Sequence, residues 1–243
     1  MPDLEAVVFD VDGTLADTER DGHRPAFNAA FEAHGLDVRW DPDHYGRLLK
    51  ITGGDRRIAA DLRERGFGED SETLAGHIHK TKTGLFRDSI LNGDISPRPG
   101  LVDLIWSLQG SGIRIAVATT GRRAWVEPLV RHLIGDGVVE VMVTGDDVTN
   151  LKPDPEAYVL ALEQLGIRPE QALAVEDSAN GLQAALGAGM ATIVVTNDYT
   201  HDQDFAGAAA LFDRYDASEP LNAAGCRRIH EQYWRERNHP PVE

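Results

Sequence analysis

Two aspartates stand one residue apart at the end of an apolar run near the beginning of the chain. The run EAVVFDVD, residues 5–12, is typical of a buried strand and contains Asp10 and Asp12. Side chains two positions apart in a strand point the same way, so both carboxylates can reach one site while Val11 turns into the core. The spacing therefore predicts two acids that act on the same ligand.

The rest of the sequence indicates which elements position these acids. Several short runs rich in Val, Ile and Ala lack strict alternation, which is typical of strands covered on both faces. These runs are residues 5–12, 113–120, 138–145, 172–178 and 191–197. Between them lie helical patterns such as LVDLIWSLQGSG, which starts at Leu101. The alternation predicts an α/β fold with a doubly wound parallel sheet.

Polar residues occur where the predicted strands end, and open α/β sheets bind ligands beyond those carboxyl ends. These residues are Asp10, Asp12, Thr119, Thr120, Gly121, Lys152, Glu176 and Asp177. Ionised carboxylates at close range repel one another strongly, and a divalent cation offsets this repulsion. Carboxylate and carbonyl oxygens suit Mg²⁺, so we expect Mg²⁺ as the cofactor.

A pair of aspartates beside Mg²⁺ suits phosphoryl transfer. One carboxylate can attack phosphorus to give an aspartyl-phosphate, and the other can protonate the leaving oxygen and then deprotonate the hydrolytic water. The metal and Lys152 can offset the charge of the phosphoryl group, while Thr119 and main-chain amides near Gly121 can donate to its oxygens. Each part of such a reaction has a residue at a strand end.

Four segments, in this order, resemble the signature motifs of the haloacid dehalogenase superfamily of phosphatases. They are DVDGT at 10–14, ATTG at 118–121, LKPDP at 151–155 and VEDSANG at 175–181. The resemblance implies a nucleophilic Asp10. It also implies that Asp12 is the general acid and base, with its main-chain carbonyl on Mg²⁺.

The same resemblance implies the remaining ligands. Asp10 and Asp177 would bind Mg²⁺ through their side chains, and Glu176 would bind it directly or lie beside a ligand. The residues that would hold the phosphoryl group and the substrate are Thr119, Thr120, Gly121 and Lys152.

A closer resemblance is to the CbbY-type phosphatases, which are sugar bisphosphate phosphatases associated with carbon fixation. It rests on TERDGHRPAFN at 18–28, TGG at 52–54 and EDSANGLQAALGAG at 176–189, and it extends to about residue 215. It implies a small phosphorylated sugar as the substrate. The best single candidate is xylulose-1,5-bisphosphate, hydrolysed to xylulose 5-phosphate.

The segment between the first two predicted strands, residues 13–112, is too long for an ordinary crossover. It contains helical patterns and no convincing strand. We therefore expect an inserted helical cap domain at 17–97, with a catalytic core formed by 1–16 and 98–243.

In CbbY-type phosphatases the cap supplies specificity. The resemblance implies that Glu19 and His23 contact the sugar, and that Arg57 and Lys82 bind a distal phosphate. The sequence departs from many relatives after the paired glycines, where Asp55 replaces a lysine.

Other residues have simpler expected roles. Ser178 is expected to cap a helix, and His77 and His79 are expected to face solvent. The C-terminal segment GCRRIHEQYWRERNHPPVE, residues 225–243, has a helical pattern.

Composition limits the partners. The formal net charge of −16 argues against a nucleic-acid partner, because nucleic-acid surfaces need clustered Lys and Arg. No window approaches the roughly 18 apolar residues that span a bilayer. The single cysteine, Cys226, fits a reducing compartment. We expect a cytoplasmic monomer that binds neither nucleic acid nor a membrane.

Two other functions share the same residues. A β-phosphoglucomutase-type phosphomutase uses the same nucleophile and acid but returns the phosphoryl group to the substrate. A phosphoacceptor signalling domain also combines Asp, Mg²⁺, Thr and Lys, although the large insertion and Asp12 argue against it. Dehalogenation is disfavoured because it has no leaving alkoxide for Asp12 to protonate.

Overall fold

The chain divides into two compact units. The structure is a computed structural model that describes residues 2–51 and 53–238. One unit is Thr18–Ile95, and the other combines Met1–Asp17 with Ser96–Glu243.

The helical unit differs from the expected insertion at 17–97 by one residue at its start and two at its end. Two parts of the motifs discussed above lie outside the described residues: Thr52 of the TGG segment, and residues 239–243 of the C-terminal segment.

The unit Thr18–Ile95 consists of helices. They are α1 (Arg24–Ala33), α2 (Pro42–Leu48), α3 (Gly54–Glu64) and α4 (Ser71–Asn92), with a π-helical turn at Glu19–His23 and a 3₁₀ turn at Gly68–Asp70. Pro25 lies in the first turn of α1, where its missing N–H breaks no helical bond. The sequence analysis did not predict α2, which begins where Asp41 Oδ1 accepts a hydrogen bond from His44 N–H (2.8 Å).

The helical unit has its own hydrophobic core. Helix α4 packs against both α1 and α3. An aromatic cluster of Phe27, Phe31, Trp40 and Tyr45 is fully buried, and the ring centroids of Phe27 and Trp40 lie 4.7 Å apart. Buried rings of this size dominate the apolar area that a small unit removes from water.

The second unit contains a six-stranded sheet. Its strands are β1 (Ala6–Phe9), β2 (Arg114–Ala118), β3 (Val141–Val143), β4 (Ala172–Glu176), β5 (Ala191–Val195) and β6 (Ala210–Phe212). The order is β3-β2-β1-β4-β5-β6 and the pairings are parallel, which confirms the predicted fold class. The sequence analysis missed β6, because a run of three residues is too short to show a period.

Helices cover this sheet. They are α5 (Leu101–Gly110), α6 (Arg123–Ile134), α7 (Glu156–Leu165), α8 (Ala179–Gly187) and α9 (Ala223–Asn238), with a 3₁₀ turn at Pro169–Gln171. On one face, Ala6 and Val8 belong to the same buried cluster as Tyr158 and Leu162 of α7. Helix α6 was not predicted, and Pro128 in its interior interrupts the pattern that would have indicated it.

The chain reverses direction across the sheet next to β1. It runs from β1 to β2 and β3 on one side and then crosses to β4 and β5 on the other. Such a switch point opens a crevice beyond the carboxyl ends of the two central strands. Among the described residues, none of the helices is long and apolar enough to cross a membrane.

Candidate active site

Lys152 joins the ends of three neighbouring strands. Its Nζ donates to Asp10 Oδ1 after β1 (2.7 Å), to Glu176 Oε1 at the end of β4 (2.6 Å) and to the carbonyl of Ala118 at the end of β2 (2.8 Å). The Lys152 side chain is only 6% exposed, so these contacts lie in a largely dry environment. Asp10, Lys152 and Glu176 were expected at one crevice, and the structure brings them into contact.

Three buried acids lie together at this edge of the sheet. Asp10, Glu176 and Asp177 each offer a carboxylate oxygen, and these oxygens lie within 4.8 Å of one another. Burial raises the pKa of Asp10 to about 8; Lys152 opposes the shift, and the charges of Glu176 and Asp12 add to it. Burial and the charges of Asp10 and Glu176 likewise raise the pKa of Asp177 well above its ordinary value. With all three acids ionised, the cluster would carry more negative charge than Lys152 offsets.

Lys152 stays charged in this setting. Burial lowers its pKa, but the charges and hydrogen bonds of Asp10 and Glu176 outweigh burial and raise the pKa above its ordinary value. Its Nζ also lies 4.8 Å from the ring centroid of Tyr158, a cation–π contact.

Glu176 is held by donors on both carboxylate oxygens. Oε1 accepts from Lys152 and from the Tyr158 hydroxyl (2.7 Å), and Oε2 accepts from Asp177 N–H (3.2 Å) and from the Ser178 hydroxyl (3.4 Å). Tyr158 was not expected at this site. Its position, one turn into the helix that follows the LKPDP motif, is the signal that could have indicated it.

Asp177 and Ser178 complete the end of β4. Asp177 Oδ2 accepts a hydrogen bond from Asn197 Nδ2 (2.7 Å), which lies beyond the end of β5. Ser178 Oγ accepts from Gly181 N–H (3.1 Å) and caps α8, as expected. Asn197 was also missed, although the strand-end rule applied to the first four strands would have found it at the fifth.

Thr119 and Gly121 form a tight turn after β2. Gly121 N–H donates to Thr119 Oγ1 (3.1 Å), and Gly145 N–H donates to the Gly121 carbonyl (2.8 Å). Thr119 and Gly121 are buried, whereas Thr120 is exposed. A threonine hydroxyl can accept and donate at the same time, so Thr119 Oγ1 can accept from Gly121 N–H and also donate to a ligand.

Asp12 lies beyond the strand that was expected to contain it. β1 ends at Phe9, and Asp12 is half-buried in the loop that follows, where it forms an isolated bridge with Ala16. Its charge contributes to the raised pKa of Asp10, so the two carboxylates interact. The cluster of three acids does not include the Asp12 carboxylate. The resemblance had assigned only its main-chain carbonyl to the metal.

In the helical unit, two of the expected substrate residues contact each other. Lys82 is 6% exposed, and its Nζ lies 2.6 Å from His23 Nδ1. The His23 ring stacks on Phe86, with 3.9 Å between centroids. Glu19 accepts a hydrogen bond from the Tyr45 hydroxyl.

His79 lies within electrostatic reach of three expected substrate residues, Lys82, His23 and Arg57. Burial lowers the pKa of His79, and the charges of Lys82, His23 and Arg57 lower it further. Arg57 itself donates from Nε to the Ile51 carbonyl (2.8 Å). His77 is exposed as expected, but the expectation that His79 faces solvent is wrong: it is half-buried, and a Cβ on Gly54 would lie 2.7 Å from its Nε2.

Comparison with protein families gives this geometry a context. Residues 4–189 match the haloacid dehalogenase-like hydrolases. The chain belongs to this family. The haloacid dehalogenase-like hydrolases matched here include relatives named as phosphatases, so the protein is an enzyme of the phosphoric monoester hydrolase class.

Individual relatives of this haloacid dehalogenase-like hydrolase agree with the subgroup that the motifs indicated. Protein CbbY of Cereibacter sphaeroides is 46% identical over 215 residues, which cover 87% of this chain and 93% of that protein. A mutant of CbbY from Rhodobacter sphaeroides, crystallised with xylulose-(1,5)bisphosphate, is 44% identical with a TM-score of 0.77, covering 92% of this chain and 99% of that one. A phosphorylated carbohydrates phosphatase of Thermotoga maritima is 34% identical over 78% of this chain and 84% of that protein.

Proposed function

We propose that this enzyme is a Mg²⁺-dependent phosphatase of small sugar phosphates, and that it converts xylulose-1,5-bisphosphate to xylulose 5-phosphate. The observation that carries the proposal is the buried contact of Lys152 with Asp10 and Glu176, beside Asp177. The proposed substrate is the sugar bisphosphate bound by the CbbY relative of Rhodobacter sphaeroides.

The donor set fits Mg²⁺. Asp10, Glu176 and Asp177 offer only carboxylate oxygens, the ligands that this hard cation prefers. Burial, together with the charges of neighbouring carboxylates, raises the pKa values of Asp10 and Asp177, and a further cation would favour their ionised forms. Asp10, Asp177 and the Asp12 carbonyl would hold the ion, with Glu176 beside them. When bound, Mg²⁺ offsets the charge of the transferring phosphoryl group.

Asp10 and Asp12 divide the chemistry between them. A carboxylate oxygen of Asp10 attacks phosphorus while the bond from phosphorus to the sugar oxygen breaks. The sugar oxygen takes a proton from Asp12 as it leaves. Asp12 then removes a proton from water as the water oxygen attacks the phosphoryl group. This second displacement releases inorganic phosphate and restores the Asp10 carboxylate.

Lys152 and Thr119 hold the phosphoryl group in this scheme. Lys152 already lies 2.7 Å from Asp10 Oδ1, so its charge is in place where the phosphoryl group forms its bond to Asp10. The Thr119 hydroxyl donates to a phosphoryl oxygen while Gly121 N–H fixes its orientation. Thr120 and Gly121 form the remaining part of this turn and line the substrate site.

The helical unit supplies substrate recognition in this proposal. Glu19 and His23 contact the sugar hydroxyls, and Arg57 and Lys82 bind the second phosphate. The support is that Lys82 is a buried cation beside His23 and that the charges of Lys82, His23 and Arg57 all act on His79.

A phosphate-release panel tests the proposal. Pentulose and hexose mono- and bisphosphates are incubated with the enzyme, with and without Mg²⁺. We expect xylulose-1,5-bisphosphate to give the highest kcat/KM and release to stop when Mg²⁺ is removed. Isomerised product without net phosphate release would identify a phosphomutase. Phosphorylation of Asp10 without turnover would identify a signalling domain, and equal release without Mg²⁺ would contradict the metal assignment.

A further inference from the structure

Asn197 lies two residues after the end of β5, and its side chain and backbone N–H together make three hydrogen bonds. Its Nδ2 donates to Asp177 Oδ2 (2.7 Å), its Oδ1 accepts from Tyr199 N–H (2.9 Å), and its own N–H donates to Thr200 Oγ1 (3.1 Å). The last two bonds are local and hold the turn in shape. The first crosses from β5 to β4 and reaches an acid of the candidate active site.

The orientation of the Asn197 amide has one chemical solution. Tyr199 N–H can only donate, so the atom of Asn197 that faces it must be the oxygen. The amide nitrogen is therefore the atom that faces Asp177. An amide flip would place two acceptors against each other at Asp177 and two donors against each other at Tyr199.

The segment that carries Asn197 is anchored to the loop after β1. The buried Arg98 donates to the carbonyls of Gly13 (2.6 Å), Val195 (2.8 Å) and Thr196 (2.6 Å). A Cβ on Gly13, whose φ is +82°, would overlap Asp177 Oδ2 and would lie 2.7 Å from Asn197 Nδ2. The amide and the carboxylate are thus packed against the loop that contains Asp12.

Asp177 and Glu176 differ in how many of their carboxylate oxygens accept hydrogen bonds from the protein. Both carboxylate oxygens of Glu176 accept hydrogen bonds. Within the described part of the chain, Asn197 is the one side-chain donor to Asp177, and it uses Oδ2. Oδ1 of Asp177 is left for a ligand outside the protein.

We propose that Asn197 is a positioning residue: it engages Asp177 Oδ2 so that Oδ1 faces the cation. This inference rests on the proposed function, because it concerns the Mg²⁺ site of that reaction. Groups that orient a metal ligand without touching the metal commonly change metal affinity about 10- to 100-fold when they are removed. Asn197 fits that role by chemistry and by place.

Two substitutions separate the amide from the turn. In Asn197→Ser the hydroxyl can still accept from Tyr199 N–H, as serine does in such turns, but it is too short to donate to Asp177. Asn197→Ala removes both interactions. Mg²⁺ is titrated by calorimetry into each metal-free protein, and kcat and KM for xylulose-1,5-bisphosphate are then measured at saturating Mg²⁺.

We expect both variants to bind Mg²⁺ about 10- to 100-fold more weakly than the wild type. KM at saturating Mg²⁺ should stay within about twofold, because Asn197 makes no proposed contact with substrate. The matched control is Asn222→Ala, which removes the acceptor for Gly225 N–H (2.9 Å) at the start of α9. It should lower the melting temperature without changing Mg²⁺ affinity.

Wild-type Mg²⁺ affinity in Asn197→Ser would overturn the positioning role and leave the proposed function intact. An equal loss of Mg²⁺ affinity in Asn222→Ala would also overturn it, because the effect would then follow stability. If the wild type hydrolyses sugar phosphates but binds no Mg²⁺, the metal assignment of the proposed function fails and the positioning role fails with it.

Discussion

Two buried aspartates, one in each unit, have opposite surroundings. Asp61 of α3 is 1% exposed and accepts hydrogen bonds from Trp40 Nε1 (2.8 Å), His44 Nε2 (2.7 Å) and Arg65 Nε (2.8 Å). Burial raises its pKa, but the three donors outweigh burial and hold the pKa below its ordinary value. Asp10 is 6% exposed and accepts from Lys152, yet burial raises its pKa to about 8.

The difference separates a structural acid from a reactive one. Asp61 has enough donors to stay ionised, so its charge stabilises the fold of the helical unit. Asp10 shares Lys152 with Glu176 and lies near Asp177, so its ionised form is only partly compensated. Perturbed pKa values of this kind concentrate at functional sites because a ligand or metal completes the compensation. Substitutions at the two sites should therefore have opposite consequences.

Asp10→Asn gives the largest expected effect. Loss of the proposed nucleophile should lower kcat by on the order of 10⁴- to 10⁶-fold. Thermal unfolding of the metal-free protein at pH 7 should show unchanged or higher stability, because the amide removes a carboxylate whose pKa in the folded state is raised. Wild-type turnover in this variant would contradict the covalent route. A large loss of stability would show that Asp10, like Asp61, is a structural acid.

Lys152→Met should have the next largest effect. Removing the cation near the phosphoryl group should lower kcat about 10²- to 10³-fold, the usual scale for one stabilising donor. Because Lys152 lowers the pKa of Asp10, the pH profile of kcat/KM should also move to higher pH. Lys80→Met, at an exposed position in α4, is the control and should leave both quantities unchanged. An unshifted profile would show that Lys152 does not compensate Asp10.

Asp61→Asn should destabilise the protein without changing kcat per folded molecule. Its three hydrogen bonds involve a charged acceptor, so the free energy of unfolding should fall by about 1.5–3 kcal/mol at pH 7. Since the pKa of Asp61 is lowered from 3.8 in the folded state, its stabilisation is present above pH 3.8 and is lost as the pH falls through the folded pKa. Denaturant unfolding from pH 7 to pH 3 should show the variant and wild type converging.

Asp94 is exposed and lies in the same unit. Asp94→Asn is therefore the control for Asp61→Asn and should unfold like the wild type at each pH. If the free energies of unfolding of Asp61→Asn and the wild type differed by the same amount at every pH, the effect would come from packing and not from the ionisation of Asp61.

Tyr158→Phe should have the smallest effect. It removes the hydroxyl that donates to Glu176 Oε1 but leaves Lys152 on the same oxygen, so no buried acceptor is left unbonded. We expect the free energy of unfolding to fall by about 1 kcal/mol, or kcat to fall by several-fold. Steady-state kinetics and thermal unfolding measure both, and a loss as large as that of Lys152→Met would show that Tyr158 holds the lysine as well.

Much of the fold and the core of the site were accessible from the sequence. The continuous apolar run around Phe9 indicated a strand buried on both faces, and β1 is fully buried. The strand-end rule then placed Asp10, Lys152 and Glu176 together, and they are in contact. Local patterns failed where an element was short or irregular, as in the three-residue β6 and in α6 with its internal Pro128.

The sequence could mark Tyr158 and Asn197 as residues near the strand ends, but not which site residue each of them contacts. Tyr158 and Asn197 carry no motif, and their hydrogen bonds to Glu176 and Asp177 depend on how α7 and β5 pack beside β4. The same holds for Arg98, whose side chain reaches carbonyls 85 and 97 positions away in the sequence.

The sequence by itself determined which side chains lie at the strand ends. The apolar runs mark where each strand ends, and the carboxyl ends of parallel strands meet at one edge of the sheet. Tertiary structure alone decided how much each acid is compensated. Asp10, Asp61 and Asp177 are the same residue type, yet the number of donors that packing brings to each, and the burial it imposes, hold the pKa of Asp61 low and raise those of Asp10 and Asp177.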